Sequence, residues 1–453
     1  MPGPLPLDPP APARPERRRL LRLALWIVVP LVLLCAVGYW NAQRVAEATL
    51  ERHRARFEQE RRDISGKVRG RPALLTPVAQ GTSEDVVERF VRAVAMVPEE
   101  ERSRLQLTPP YEEDAASPED QDRILAAHPQ PLEILATILH VPSTTPSVPP
   151  GRMDEATNAL VAARQAAGQW VAAHLRRSVA RSGRSEQARA LRSVAELVTF
   201  AADFERRGTV IALLVGCSFE DIALAQLPAA FAMGPVGAEE ARTLARVLDG
   251  LEAARPPLSD VAAFERANVR GLFSVTTMDI DEGLRDVGWR HLWSGKVYRA
   301  EAMDQLDVGM DRLLVILETL PTDPRRAIGD ATSLPGRGFN ALGRMGLVFW
   351  GITLRRTIQR DAVWRVGRTA LAVAQYAAEK GAAPATLAAL VPAYLPVEPT
   401  DPWDGQPLRY EAGPPARVWS VGRDGQDDGG KPLHDPDDES QPGDFVITIS
   451  PPR

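Results

Sequence analysis

From Leu23 to Trp40 the chain carries no charged side chain, and the run Leu20–Trp40 reads LLRLALWIVVPLVLLCAVGYW. A helix rising 1.5 Å per residue crosses ~30 Å of hydrocarbon in about twenty residues, so this segment predicts one transmembrane helix. Arg22 can snorkel to the interface and lengthen the span, and Tyr39 and Trp40 stand where an aromatic belt belongs. Pro30, at mid-span, predicts a kink of the kind membrane helices tolerate. Arg14, Arg17, Arg18, Arg19 and Arg22 crowd the N-terminal side, against Arg44, Arg52 and Arg54 after the span. The positive-inside rule then puts the N-terminus in the cytoplasm and the bulk of the chain outside it, as in a single-pass inner-membrane protein with a periplasmic domain. Gly38-Tyr39-Trp40 is a poor signal-peptidase site, and Leu33-Leu34-Cys35 lacks the small residue of a lipoprotein signal. The anchor is therefore expected to stay uncleaved. Thr209–Met233 is apolar but interrupted by Glu220, Asp221 and Pro228, and Gly346–Leu354 is too short to cross. Both predict buried helices of a water-soluble core.

Composition narrows the partners. With 453 residues, more than one core is expected. A net charge of −5 leaves no basic footprint, so no nucleic-acid partner is predicted. Lysine occurs only at Lys67, Lys296, Lys380 and Lys431; the arginine and alanine bias suggests a GC-rich bacterial genome. Cys35 lies in the span and Cys217 in an apolar run, which argues against a structural disulfide between them.

The chain divides into a cytoplasmic tail (1–19), the transmembrane helix (20–40), a charged juxtamembrane helix (41–71), a helical ectodomain (72–345) and a terminal α+β module (346–453). In the juxtamembrane helix Leu50, Phe57 and Ile64 recur every seven residues, but Arg54 and Arg61 occupy the paired heptad positions. A solvated helix is expected there in place of a coiled-coil stalk. Thr108-Pro109-Pro110 and Pro142–Pro150 read as loops. Stripes at helical spacing follow: Leu191, Val194, Ala195, Val198 and Ala202; Ala241, Leu244, Ala245, Leu248 and Leu251; Met303, Leu306, Met310, Leu313 and Leu317. Thr209 is placed to cap the apolar helix after it, and Pro256-Pro257 and Pro321 stop two others. A further helix through Val363 and Ala377 ends at Lys380-Gly381, and short strands are expected near Leu408–Tyr410, Val418–Val421 and Phe445–Ile449. The fold class is mainly α, with a small terminal sheet.

Within that terminal module Asp401-Pro402-Trp403-Asp404-Gly405-Gln406-Pro407-Leu408-Arg409-Tyr410 is followed by Ser420-Val421-Gly422-Arg423-Asp424-Gly425, then Gly429-Gly430 and Asp444-Phe445. This order resembles the C-terminal region of the type II secretion major pseudopilin. There a DPWG-x-P-x-x-Y strand leads to an S-x-G-x-D-G loop and a later acidic residue. The resemblance begins at the helix near Arg365 and covers only the end of the chain. Pseudopilins carry a prepilin peptidase site, with a glycine just before the apolar helix and a glutamate soon inside it. This chain has Arg17-Arg18-Arg19-Leu20 there, so a borrowed terminal module is implied and not a filament subunit.

The resemblance implies calcium in the loop, with Asp424 and Asp444 as first ligands, Asp427 and Asp428 next, and the Val421 carbonyl beside them. The residues make chemical sense of it: calcium takes six to eight oxygens from a flexible loop, and Asp435, Asp437, Asp438 and Glu439 add to the acidity. Gly425, Gly429 and Gly430 permit the turns. A solvated acidic loop is the alternative.

Other chemistry is sparse. His53, His128, His140, His174, His291 and His434 show no paired metal spacing, and no Gly-x-Ser-x-Gly elbow occurs. Gly338–Met345 has the glycines of a phosphate loop without its Lys and Ser/Thr. Glu265 follows Val261 and Phe264 on an apolar face, where a buried carboxylate needs a partner. These features predict a non-enzymatic envelope protein that binds a secretion or surface-assembly partner. The alternative is an anchored hydrolase with its site near Glu265 and the Gly-rich loop.

Overall fold

The computed structural model describes residues 15–65, 70–78, 84–105, 117–143, 155–180, 184–206, 208–275, 295–336, 338–340, 343–344, 346–432 and 443–451. Thr108-Pro109-Pro110 and residues 144–150 lie outside them, as do His291, His434 and the acids Asp435, Asp437, Asp438 and Glu439.

Helix α1 runs from Pro15 to Ser65 without a break, passing through Pro30. Its 51 residues measure about 77 Å at the α-helical rise. The short helices α2 (Val86–Ala95), α3 (Glu99–Ser103), α4 (Pro118–Ala127) and α5 (Gln130–Leu135) follow. Next come α6 (Glu155–Val179), α7 (Arg184–Glu205), α8 (Val210–Leu224), α9 (Leu227–Ala232), α10 (Ala238–Ala253) and α11 (Leu258–Val275). The helical part closes with α12 (Gly295–Thr319), α13 (Pro324–Thr332) and α14 (Trp350–Lys380). Strands β1 (Arg409–Glu411), β2 (Ala416–Ser420) and β3 (Phe445–Ile449) form one antiparallel sheet in the order β1-β2-β3. The protein is thus mainly helical with one small sheet.

Local chemistry explains most boundaries. Thr209 Oγ1 accepts the Ala212 N–H and starts α8, satisfying one of the amides a helix start leaves open. Gly381, at φ 83°, closes α14 in the left-handed conformation that favours glycine. Pro256 and Pro257 follow the end of α10, as expected of residues that cannot continue a helix.

Two apolar cores share α14. Its first turns, through Trp350 and Leu354, pack with Met303, Leu306, Met310 and Leu313 of α12, Ala327 and Ala331 of α13, and the start of α8. Its later turns, from Val363 to Ala374, join the larger core of α2, α6, α7, α10 and the sheet. Between them, Ile358 and Ala362 meet Trp403 and Val421 of the terminal module. The stretch Val210–Ala232 has the length and apolarity of a membrane span, yet more than half of it is buried inside the protein.

The part of α1 after residue 41 departs from the sequence expectation. Ala46, Thr49, His53, Phe57 and Ile64 are buried, at the spacing of one helical face. Leu50 packs on the α12 core, and Ile64 on Phe264 and Ala267 of α11. The heptad seam is therefore real, but the protein's own α11 and α12 fill it. Arg54 and Arg61 lie outward, paired with Glu51 and Glu58 one turn back. Periodicity shows that a face is covered and carries no information on what covers it. Charges border the seam: Lys296 pairs with Glu47, Asp304 with His53 at 3.0 Å, Asp307 with Arg56 at 2.9 Å, and Arg270 with both Glu60 and Asp307. By contrast Val32, Leu33, Leu34, Val37 and Trp40 of the same helix are exposed.

Truncating Ile64 removes a buried side chain from the α1–α11 contact. Ile64→Ala is expected to weaken the docked state by about 2–5 kcal/mol. Hydrogen exchange checks it: amides of residues 46–64 should lose protection while those of α14 keep theirs.

Candidate functional site

The four predicted calcium ligands lie beside the β2–β3 connection, and the structure brings three of them close. Asp444 is buried, and its carboxylate accepts the N–H of Gly430 at 2.8 Å and of Asp428 at 3.4 Å. Burial pushes its carboxyl above the usual range, and the charges of Asp427 and Asp428 push the same way. Asp427 accepts the Trp419 indole N–H at 2.9 Å, the Gly429 N–H at 3.0 Å and Arg409 Nε at 3.4 Å. These bonds, the indole's first, hold its carboxyl low against the opposing effect of burial. Asp424 sits apart in a tight turn, its Oδ1 accepting the Gln426 N–H at 3.0 Å. Gly425, Gly429 and Gly430 all adopt positive φ, so the glycine expectation has a structural basis. Among the described residues no three acidic, histidine or cysteine side chains form a metal-binding group. The described part of the loop thus gathers negative charge around Asp444 and answers part of it with protein donors.

Asp401, the first residue of the DPW motif, has a role that spacing alone did not reveal. It is fully buried, and it accepts the Trp403 N–H at 3.0 Å, the Ser420 hydroxyl at 3.0 Å and the Val421 N–H at 2.8 Å. One carboxylate therefore ties the DPW turn to the end of β2, where the S-x-G-x-D-G loop begins. Asp404 holds Arg409 by two bonds, at 3.2 and 2.6 Å, and Arg409 reaches on to Asp427. Gly422 closes the turn at φ 68°; a Cβ there would stand 2.9 Å from the Gly443 carbonyl oxygen. Asp401, Trp403, Asp404, Arg409, Ser420 and Val421 of the quoted motifs are thus linked by hydrogen bonds and ion pairs, and Arg409 joins them to Asp427.

A second charged cluster lies deep in the helical part. Glu205 ends α7, Cys217, Glu220 and Asp221 sit on α8, Arg255 follows α10, and Arg360 and Asp361 lie on α14. Arg360 donates to both Glu205 oxygens at 3.2 and 3.3 Å, to Cys217 Sγ at 3.5 Å and to Asp361 at 2.9 and 3.0 Å. Arg255 donates to both Glu220 oxygens at 3.1 and 3.0 Å and lies 4.5 Å from the centre of the Trp364 ring. Gly216 makes room for Glu205: a Cβ there would fall 2.3 Å from its side chain. Burial pushes the Glu220 carboxyl up to about 8 and Asp221 up to about 7, and Asp221 Oδ1 is buried without a hydrogen bond. Burial also raises the Cys217 thiol well above its usual range, so it remains an unreactive thiol. Nearby, Arg71 and Asp203, both fully buried, form a two-bond pair at 2.9 and 2.8 Å. The acids in the apolar run Thr209–Met233 were the visible signal: a carboxylate in such a helix requires a cation, which sequence order could not name.

Glu265 proves to be a helix-start partner. Its Oε2 accepts the Val210 N–H at 3.1 Å at the first turn of α8, and burial raises its carboxyl. The described residues of the Gly-rich loop pack on α12, with Asn340 bonded to Gln305 and to the Tyr298 carbonyl. His128 pairs with Glu101 at 2.7 Å, and His140 contacts the Thr76 carbonyl at 2.9 Å.

In comparisons with protein-family models, curated proteins and solved structures, none matches this chain.

Asp221 gives a pH test. Its folded pKa of about 7 lies above the ordinary carboxylate value, so the folded state binds the extra proton between the two. This contribution to stability is fully present below the unfolded pKa and is lost as pH rises through about 7. Asp221→Asn should therefore flatten the fall in stability between pH 5 and pH 8. Urea midpoints of both proteins at each pH check this; parallel falls would count against it.

Proposed function

We propose that this chain is a single-pass envelope protein: α1 anchors it in the inner membrane with its N-terminus in the cytoplasm, and the helical ectodomain works in the periplasm as a non-enzymatic binding or assembly component. The observation that carries the reading is the contrast along α1. Its apolar N-terminal part is exposed at Val32, Leu33, Leu34 and Val37, while Ala46 to Ile64 is clamped to α11 and α12. An exposed apolar helix is costly in water and stable in lipid. Ala46 lies six residues past Trp40, about 9 Å along the helix, so the folded domain begins next to the interface.

A partner is supported by apolar side chains left at the surface. Val348, Phe349 and Ile352 at the head of α14 are about half exposed, as is Ile211 on α8. Cys217 meets Arg360, and Leu224 and Leu227 lie against Gly367, so α8 and α14 run side by side in the same direction. Six residues back along each helix, Ile211 stands level with the Ile352–Leu354 turn. Apolar groups gathered this way mark interaction surfaces more often than scattered ones do. A secretion or surface-assembly protein is the partner class proposed, with the pseudopilin-like end as a terminal module.

Calcium is proposed for that module, held by Asp424, Asp427, Asp428 and Asp444. When bound it would supply positive charge to a cluster in which Asp427 and Asp428 bear on buried Asp444. Asp444 and the glycine turns position the loop in either state.

Two measurements test the reading. Protease added to intact spheroplasts should digest the chain beyond residue 41; a resistant full-length polypeptide would overturn the topology. Calcium should raise the Tm of the purified protein relative to chelator, and Asp444→Asn should abolish the rise; equal values with and without calcium would remove the site.

A further inference from the structure

Between α1 and α12, where the ectodomain meets the anchor, lies a crevice of about 540 Å³. Its walls are largely apolar: Ala42, Val45 and Ala46 on α1, Ala300 and Val308 on α12, and Phe339. Its size falls within the ~300–1,000 Å³ of small-molecule sites. Val45 and Val308 are 59% and 45% exposed, so the apolar surface is open to a ligand.

The crevice has a direction. Glu47 meets Lys296, His53 meets Asp304 and Arg56 meets Asp307, so α1 and α12 ascend together from the membrane end. Gly38 lines the lower end, beside the Tyr39-Trp40 belt, and Thr49 the upper. Eleven residues separate them, about 17 Å along the helix. That is close to one leaflet of hydrocarbon, half of the ~30 Å core.

The upper end is acidic. Glu301 and Asp304 line it. Glu301 accepts a hydrogen bond from neutral Gln305 at 3.1 Å. Asp304, its side chain 61% exposed, pairs with buried His53. Burial lowers the His53 pKa, so that partner is largely neutral at pH 7. Among the described residues neither carboxylate is paired with an arginine or lysine. An apolar crevice about 17 Å long on its α1 side, beginning beside Gly38 and lined by two carboxylates that meet no arginine or lysine among the described residues, matches an amphiphile with a cationic head.

We propose that this crevice seats a phospholipid bearing a primary amine, raised from the outer leaflet, with its acyl chain along Ala46 and Ala42 and its ammonium group at Glu301 and Asp304. The proposal rests on the membrane reading above. It adds a lipid ligand that neither the anchor nor the terminal module requires. An anionic phospholipid without an amine would fit the apolar walls but would be repelled at the acidic end.

The test uses the full chain, extracted in mild detergent from a membrane containing phosphatidylethanolamine and phosphatidylglycerol, with bound lipid read by native mass spectrometry. Phosphatidylethanolamine is expected to be enriched at least about 5-fold over its bulk share, on the order of 1 kcal/mol of preference. Glu301→Gln should reduce that enrichment, and Ala42→Trp, which fills the crevice from a half-exposed position, should abolish lipid retention. Hydrogen exchange at residues 46–64 verifies that α1 is still docked in both variants. Bound lipid of bulk composition would overturn the proposal, as would a lipid-free protein with the crevice closed by a second copy or by residues 276–294, shown by cross-linking at Val45→Cys. Failure of the membrane reading looks different: the protein would then leave the membrane in alkaline carbonate.

Discussion

Four buried ionisable groups hold the helical part to one arrangement: Glu205 and Glu220 against Arg360 and Arg255. Each would be expensive to bury alone, and together they are satisfied only when α7, α8, the end of α10 and α14 meet at one point. Apolar packing tolerates sliding and repacking; paired charges in a dry interior tolerate little. Trp364 strengthens the restriction by giving the Arg255 guanidinium an aromatic face. Since α14 also runs through both apolar cores, the ion cluster sets the register of the whole assembly about that helix.

The second constraint is mechanical. A helix that continues from an exposed apolar segment into a docked face leaves no flexible joint between the two, and movement of the one is movement of the other. The α1–α11–α12 contact combines an apolar seam with bordering ion pairs at Glu47, Arg56 and Glu60 and the His53–Asp304 hydrogen bond. The border favours the observed register, in which Lys296 meets Glu47 and Arg56 meets Asp307. Under the proposed anchoring, this rigidity would hold the folded part at a set height and rotation above the bilayer.

The terminal module shows how a motif of turn residues becomes one unit. Asp401 saturates itself with three donors from two segments, and Asp404, Arg409 and Asp427 extend the chain of bonds toward Asp444. The acids in this module thus fall into two kinds. Asp401, Asp404 and Asp427 accept donors from within the fold, the last two from Arg409, whereas buried Asp444 accepts two backbone N–H groups and lies near the charges of Asp427 and Asp428.

Much of this was legible in the chain alone. The uncharged run to Trp40, the helices ended by Pro256, Pro321 and Gly381, the Thr209 cap and the strand Phe445–Ile449 all follow from local rules: periodicity, capping and backbone freedom act within a few residues. The tertiary structure alone decided what covers the Leu50–Phe57–Ile64 face, which cations meet Glu205 and Glu220, and that Asp401 joins two segments nineteen or more residues apart. The physical reason is range. Secondary structure is written in neighbours, but the partner of a buried charge or an apolar stripe is chosen by whichever distant surface comes to face it, and linear order carries no record of that meeting.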